Sequence, residues 1–172
     1  DDVPGFNFRL TDAQAAFGLV QLRRLPKILN SFRKNAYYIM ENLPEFISPP
    51  SISKNIEHSF LILGCKFNEK IARVSRENFL ERLTKNRKKF LKNEQKSDIK
   101  GLNFRPGKIV SSGYKSTQYE IHLYRKYRPK IKCSVAEDFV RSSFFLDIHR
   151  WRTRSEIDEE LKILSMTNHQ IK

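Results

Sequence analysis

The residues most able to do chemistry here are four histidines and two cysteines. His58, His122, His149 and His169 do not fall at the spacing that puts two imidazoles on one helix face, and no H-E-x-x-H pair occurs. Cys65 and Cys133 supply neither a disulfide framework nor a four-ligand zinc site by themselves. Both read as structural thiols of a reducing compartment. No G-x-S-x-G elbow would present a nucleophilic serine, and no G-x-x-x-x-G-K-[ST] loop would wrap a phosphate. The stretch from Gly101 to Gly107 is too sparse in glycine to do so. His58 opens an apolar run and reads first as a core or loop histidine. These side chains do not add up to a self-sufficient enzyme.

Charge offers a second route to function. Lysine plus arginine number 33 against 19 acidic residues, a net charge of +14 over 172 residues. His122-Leu-Tyr-Arg-Lys-Tyr-Arg-Pro129 interleaves cations with aromatic rings, as a groove for single-stranded nucleic acid would. Arg150-Trp-Arg152 repeats that pattern, and a dense basic stretch runs from Arg82 to Lys100. A cationic surface serves equally well for anionic small molecules such as nucleotide sugars, or simply as a solvated face. The longest apolar run, Phe60 to Leu63, is far short of the roughly 20 residues that span a bilayer. The chain opens Asp-Asp, without a basic-then-apolar leader, so a cytoplasmic location is expected. The missing initial Met points to a fragment or a processed product.

The elements that would position these residues alternate in type, without a linker or a fixed-period repeat, and this favours one α+β domain over 1–172. Thr11 and Gln14 form a capping box for a helix over Ala13–Leu25, which Pro26 is expected to end. Pro26 would open a second helix with Ile28, Phe32, Ala36, Ile39 and Leu43 on one face. His58–Phe67 reads as a buried strand with a continuous apolar centre. Ser75 caps a third helix. Leu102–Arg105 and Lys108–Ser112 read as short strands, and Gln118–Tyr127 as helix or loop. Ser134–Glu137 and Thr153–Glu156 are two further capping boxes, with a strand at Phe144–Ile148 between their helices.

Residues 4 to 25, Pro-Gly-Phe-Asn-Phe-Arg-Leu-Thr-Asp-Ala-Gln-Ala-Ala-Phe-Gly-Leu-Val-Gln-Leu-Arg-Arg-Leu, carry a more specific signal. They resemble the G-[FY]-N-[FY]-[RK]-[LM]-T-[DE]-x-Q-A-A-x-G segment of the DegT/DnrJ/EryC1/StrS aminotransferases. Glu57-His-Ser-Phe60 is similar to the start of that family's first small-domain strand, and Ser75-Arg-Glu-Asn-Phe-Leu80 to one of its helix openings. Cys133-Ser-Val-Ala-Glu-Asp138, Phe145–His149 and Thr153–Glu160 resemble later family segments in the same order. Two features depart from the pattern. The region of the family's Pro-x-His loop has no clear counterpart, and Asp147 stands where its Leu-Pro-x-His strand has proline.

The resemblance implies the C-terminal small domain of an aspartate-aminotransferase-type (fold type I) pyridoxal-phosphate enzyme. A helical leading segment over 1–43, contributing to a dimer contact, would precede a small α+β domain over 44–172. That domain would hold a small antiparallel sheet with helices on one side. The complete enzyme would be a homodimer moving an amino group to a keto sugar carried on a nucleotide. The family's Schiff-base lysine, ring-stacking aromatic and pyridine-nitrogen aspartate all precede this segment. The chain is therefore expected to be inactive alone, with the N-terminal cofactor-binding half as its partner. Asn7 matches the family's asparagine that reaches the cofactor phosphate of the neighbouring subunit, whereas a turn-forming role is the plainer reading. Arg9 and His58 are the candidate substrate-side residues. The alternative is a non-catalytic basic binding domain derived from the same fold, directed at nucleic acid.

Overall fold

The computed structural model describes residues 9–91, 110–111, 117, 120–121, 126, 133–148 and 152–169. In chain order the elements are α1 (Asp12–Glu41), β1 (Ile47–Ser48), β2 (Ile62–Phe67), α2 (Glu69–Ala72), α3 (Arg76–Leu91), β3 (Val110–Ser111), α4 (Ser134–Ser142), β4 (Ser143–Asp147) and α5 (Arg154–His169). The strands form one antiparallel sheet in the order β1-β2-β4-β3.

The period-two geometry of a strand decides which side of this sheet is core. Leu63 stands opposite Leu146, Cys65 opposite Phe144 and Ile47 opposite Phe67, and all six are buried. Against this face pack Phe79 and Leu83 of α3, Ile157, Leu161 and Leu164 of α5, and Ala36 and Ile39 of α1. Four phenylalanines tie these layers together. The Phe67 ring lies 5.7 Å from Phe46, 4.9 Å from Phe79 and 6.4 Å from Phe144, within the range where aromatic pairs attract beyond their burial. On the other face, Gly64 sits opposite Phe145. A Cβ there would lie 3.3 Å from the Phe145 ring, so the absence of a side chain gives the ring room across the strand.

Several expectations need correction. Pro26 does not divide the first helix; α1 runs unbroken for 30 residues with Pro26 inside it. The proline φ is compatible with a helix, and the carbonyl it leaves without a partner lies at Leu22. Leu22, Leu25 and Pro26 are all exposed, so water can satisfy that group. The strand expected over 58–67 begins only at Ile62, because Phe60 adopts φ +50, outside the extended region. Its burial alternates instead of running continuously: Ile62 is 44% exposed and Leu63 fully buried. The cap of α4 is Cys133, with no side-chain hydrogen bond, so Ser134 is the first helical residue and not the expected cap. The strand sought over Lys108–Ser112 is Val110–Ser111. Leu102–Arg105 and most of Gln118–Tyr127 lie outside the described residues.

Other local rules operate as written in the sequence. The Thr11 N–H donates to Gln14 Oε1 at 3.0 Å and the Gln14 N–H to Thr11 Oγ1 at 3.3 Å. The Thr153–Glu156 box closes at 2.7 Å and 3.3 Å, and the Asn78 N–H donates to Ser75 Oγ at 3.3 Å. The short β1 and α2 escape a periodicity reading because neither completes a repeat. A side chain announces α2 nonetheless, since Asn68 Oδ1 accepts from the Lys70 and Ile71 amides at 3.1 Å and 3.2 Å.

Two polar clusters lock the helices in place. Arg76 is almost wholly buried, and its guanidinium donates to the Val140 and Ser143 carbonyls, each at 2.7 Å. It thereby satisfies carbonyls at the end of α4 and the start of β4, while its Nη2 pairs with Glu77 Oε1 at 2.9 Å. Between α1 and α5, the Tyr38 hydroxyl donates to Asp158 Oδ1, and the Arg154 guanidinium stacks 3.3 Å above the Tyr38 ring.

Replacing Arg76 with alanine strands two buried carbonyls and should cost about 2–4 kcal/mol, read as a lower denaturant midpoint. Arg76→Lys should fall between the two, and an unchanged midpoint in the alanine variant would contradict this role. Glu156 supplies a pH-dependent contribution. The Thr153 backbone N–H, then its hydroxyl, donate to the carboxylate and hold its pKa below the usual carboxylate value. A depressed folded pKa gives stability that is present above the unfolded value and lost as pH falls through the folded one. Glu156→Gln should therefore flatten the acid side of the stability–pH curve while leaving its slope near neutrality unchanged.

Candidate functional site

The candidate residues sit at two places along α1. Asn7 lies outside the described residues. Arg9 is exposed just before the capping box that starts the helix. From Asp12 to Arg33 the chain climbs 21 helical residues, about 30 Å at 1.5 Å each, before it reaches the loop that carries His58. Within one chain Arg9 and His58 therefore stand far apart.

His58 itself is held by an interlocking set of contacts. Arg33 Nε donates to the His58 carbonyl at 3.0 Å, and Arg33 Nη2 pairs with Glu57 Oε2 at 3.0 Å. The His58 ring lies 4.5 Å from the Phe60 ring. Its Nδ1 accepts the Phe60 N–H at 2.9 Å, which assigns the proton of the neutral ring to Nε2. Phe60 is the pivot. It takes a left-handed backbone conformation, φ +50, a strained state for a bulky residue. Its side chain is fully buried and meets Tyr37 edge-on at 5.2 Å. Burial of the ring and the bond to His58 over-determine a conformation that the chain would otherwise avoid. The loop residue His58 thus presents an oriented imidazole from an exposed position. Sequence reading named His58 but missed Arg33, Tyr37 and the role of Phe60. A lone arginine on an otherwise apolar helix face was the available signal for Arg33; nothing in the sequence announces the positive φ.

The first half of α1 has a different character. Phe17 is 68% exposed, Leu22 63%, Leu19 56% and Val20 51%, whereas Ala36 and Ile39 further along the same helix are buried. No charged residue occurs between Asp12 and Arg23. Apolar positions there run round the whole circumference instead of forming one stripe, the mark of a helix meant to be enclosed.

The other candidates resolve as follows. Burial pushes the Cys65 thiol up to about 12, and it lies in the core. Cys133 is exposed and lines a shallow apolar depression with Ser134, Val135, Ala136 and Phe139. Among the described residues, no three His, Cys, Asp or Glu side chains gather as a metal site, and no helix is long and apolar enough to cross a membrane. Of the basic-aromatic runs, only Lys126 and Arg152 are described. Lys126 is exposed, but the Arg152 side chain is 13% exposed, 3.9 Å from Glu160 Oε1, so it faces the α1–α5 junction and not an open cationic groove. In the stretch from Arg82, Lys85 is paired with Glu81 at 2.7 Å.

Every described lysine, at 27, 34, 54, 66, 70, 85, 126 and 162, is exposed, and the buried cation Arg76 is committed to carbonyls and Glu77. The described residues therefore form no enclosed pocket with a poised amine that would fit pyridoxal phosphate.

Comparison with known proteins follows the same line. No curated protein sequence matches the chain significantly. Its fold is similar to that of Helicobacter pylori PseC, an aminotransferase involved in the biosynthesis of pseudoaminic acid (TM-score 0.71, 19% identity, 98% of this chain and 40% of that one). It is similar also to an aminotransferase from Psychrobacter cryohalolentis (TM-score 0.70, 19% identity, 99% and 44%). A third structure with this fold is the E. coli GDP-4-keto-6-deoxy-D-mannose-3-dehydratase with bound hydrated PLP (TM-score 0.61, 20% identity, 94% and 37%). The chain spans well under half the length of each. The model of the DegT/DnrJ/EryC1/StrS aminotransferase family matches residues 1–92, more than half of the chain, and it covers α1, the His58 loop, β2 and α3. The chain belongs to the DegT/DnrJ/EryC1/StrS aminotransferase family.

Proposed function

We propose that this chain is the C-terminal part of a pyridoxal-phosphate-dependent aminotransferase acting on a keto sugar, nucleotide-linked, in the cytoplasm. The observation that carries the reading is the family match through α1, joined to the exposed apolar first half of that helix. Those side chains would be buried by the cofactor-binding half that the longer relatives possess in addition. Residues 1–43 act as the leading segment that contacts that half and a second subunit, and 44–172 form the small domain. The fold alone admits other reactions, since a dehydratase shares it; the family supports transamination.

In the complete enzyme the cofactor stores the migrating amino group and withdraws electrons from the carbon that bears it. This chain's own contribution is to bind and orient. The Asn7 amide donates to a phosphate oxygen of the neighbouring subunit's cofactor. Arg9 offers a cation beside it, at the dimer contact or on the substrate. His58, its ring set by Phe60 and Arg33, offers an Nε2–H donor to a substrate oxygen. None of these groups carries out the chemistry, so the chain is inactive alone.

Incubation of the 172-residue chain with pyridoxal phosphate, borohydride reduction and peptide mapping tests this directly. The expected result is scattered, substoichiometric labelling of exposed lysines. Stoichiometric labelling of one lysine would contradict the assignment.

A further inference from the structure

The outward side of α1 carries a pattern that the family reading does not use. Ala36 and Ile39 are buried against the body and fix which side of the helix faces inward. At about 100° per residue, Asp12, Ala16, Leu19 and Arg23 fall nearly opposite, on a stripe roughly 60° wide. Their spacing of four, three and four is the repeat of a two-helix seam. All four are exposed, Leu19 by 56%, and Val20 beside them by 51%. The domain's own core lies on the other side of the helix and cannot cover them.

The ends of this stripe are oppositely charged and its middle is apolar. Laid antiparallel on a second copy, Asp12 meets Arg23 of the other chain, twice by symmetry. Ala16 then meets Leu19, a small side chain against a large one. Parallel pairing would set Asp12 on Asp12 and Arg23 on Arg23. Charge and size complementarity therefore select one occupant and one orientation, the self-complementary arrangement of a two-fold interface.

We propose that α1 pairs antiparallel with α1 of a second copy of this chain, about a two-fold axis through the Ala16–Leu19 turn, with Asp12 and Arg23 as reciprocal ion pairs. The proposal does not rest on the aminotransferase reading, and its failure would leave that reading untouched.

Sedimentation velocity of the 172-residue chain, at about 0.15 M ionic strength and protein concentrations up to about 1 mM, tests it. The chain should show a concentration-dependent dimer. Asp12→Arg and Arg23→Asp should each weaken the dimer by about tenfold or more, because each opposes like charges at both ends. The double variant should restore association to within a few-fold, and Leu19→Lys should abolish it. All four positions are exposed, and far-UV circular dichroism verifies that each variant stays folded. A monomer throughout would overturn the proposal. So would a dimer indifferent to the single charge reversals, or a double variant that fails to restore it.

Discussion

Because Leu63 faces Leu146 and Cys65 faces Phe144 across the central strand pair, a slip of one residue would turn the inner side chains of β2 outward and bring Ile62 and Lys66 into the core. Everything else in the small domain is arranged around that register. The Phe67 ring extends it to Phe46, Phe79 and Phe144, which brings α3 onto the sheet, and α5 packs beside α3. Arg76 then fixes the junction of α4 and β4 by holding two of its carbonyls. Phe60 marks where the strand must stop. Its left-handed backbone turns the chain out of the ladder just before Ile62 and places His58 on the surface beside α1.

The long helix α1 links this body to whatever lies beyond it. Its second half contributes Ala36 and Ile39 to the core and grips the His58 loop through Arg33. Its first half is apolar around the circumference and exposed. An exposed helix of that composition loses the hydrophobic contribution of each side chain, roughly 1.5–3 kcal/mol for a Leu or Phe. The same sequence thus encodes a finished domain at one end and an unfinished interface at the other. One helix serves both purposes only because Pro26 leaves it unbroken.

What could be read from the sequence, and what could not, follows from the range of each interaction. The Thr11–Gln14 and Thr153–Glu156 caps were legible because the partners lie three residues apart. The apolar stripe through Phe32, Ala36 and Ile39 was legible because it repeats over several turns. The family was legible in the uninterrupted run from Pro4 to Leu25. Pro26 misled because a local preference was overruled by a helix that continues on both sides. The strand start at Ile62 was hidden because it depends on one backbone angle at Phe60, stabilised by a buried ring and by His58. The Arg76 clamp joins residues more than sixty positions apart, and no local pattern predicts it. Of the candidate site, the identity of His58 was visible, but its orientation was not.

The central claim is that this domain works as the C-terminal part of a cofactor enzyme, with α1 reaching into the part that precedes it. Determining the nucleotide sequence immediately upstream of the codon for Asp1 tests this most directly. The account predicts an open frame that continues upstream and encodes a cofactor-binding half with its own reactive lysine. A start codon directly before Asp1, or an in-frame stop there, would contradict it.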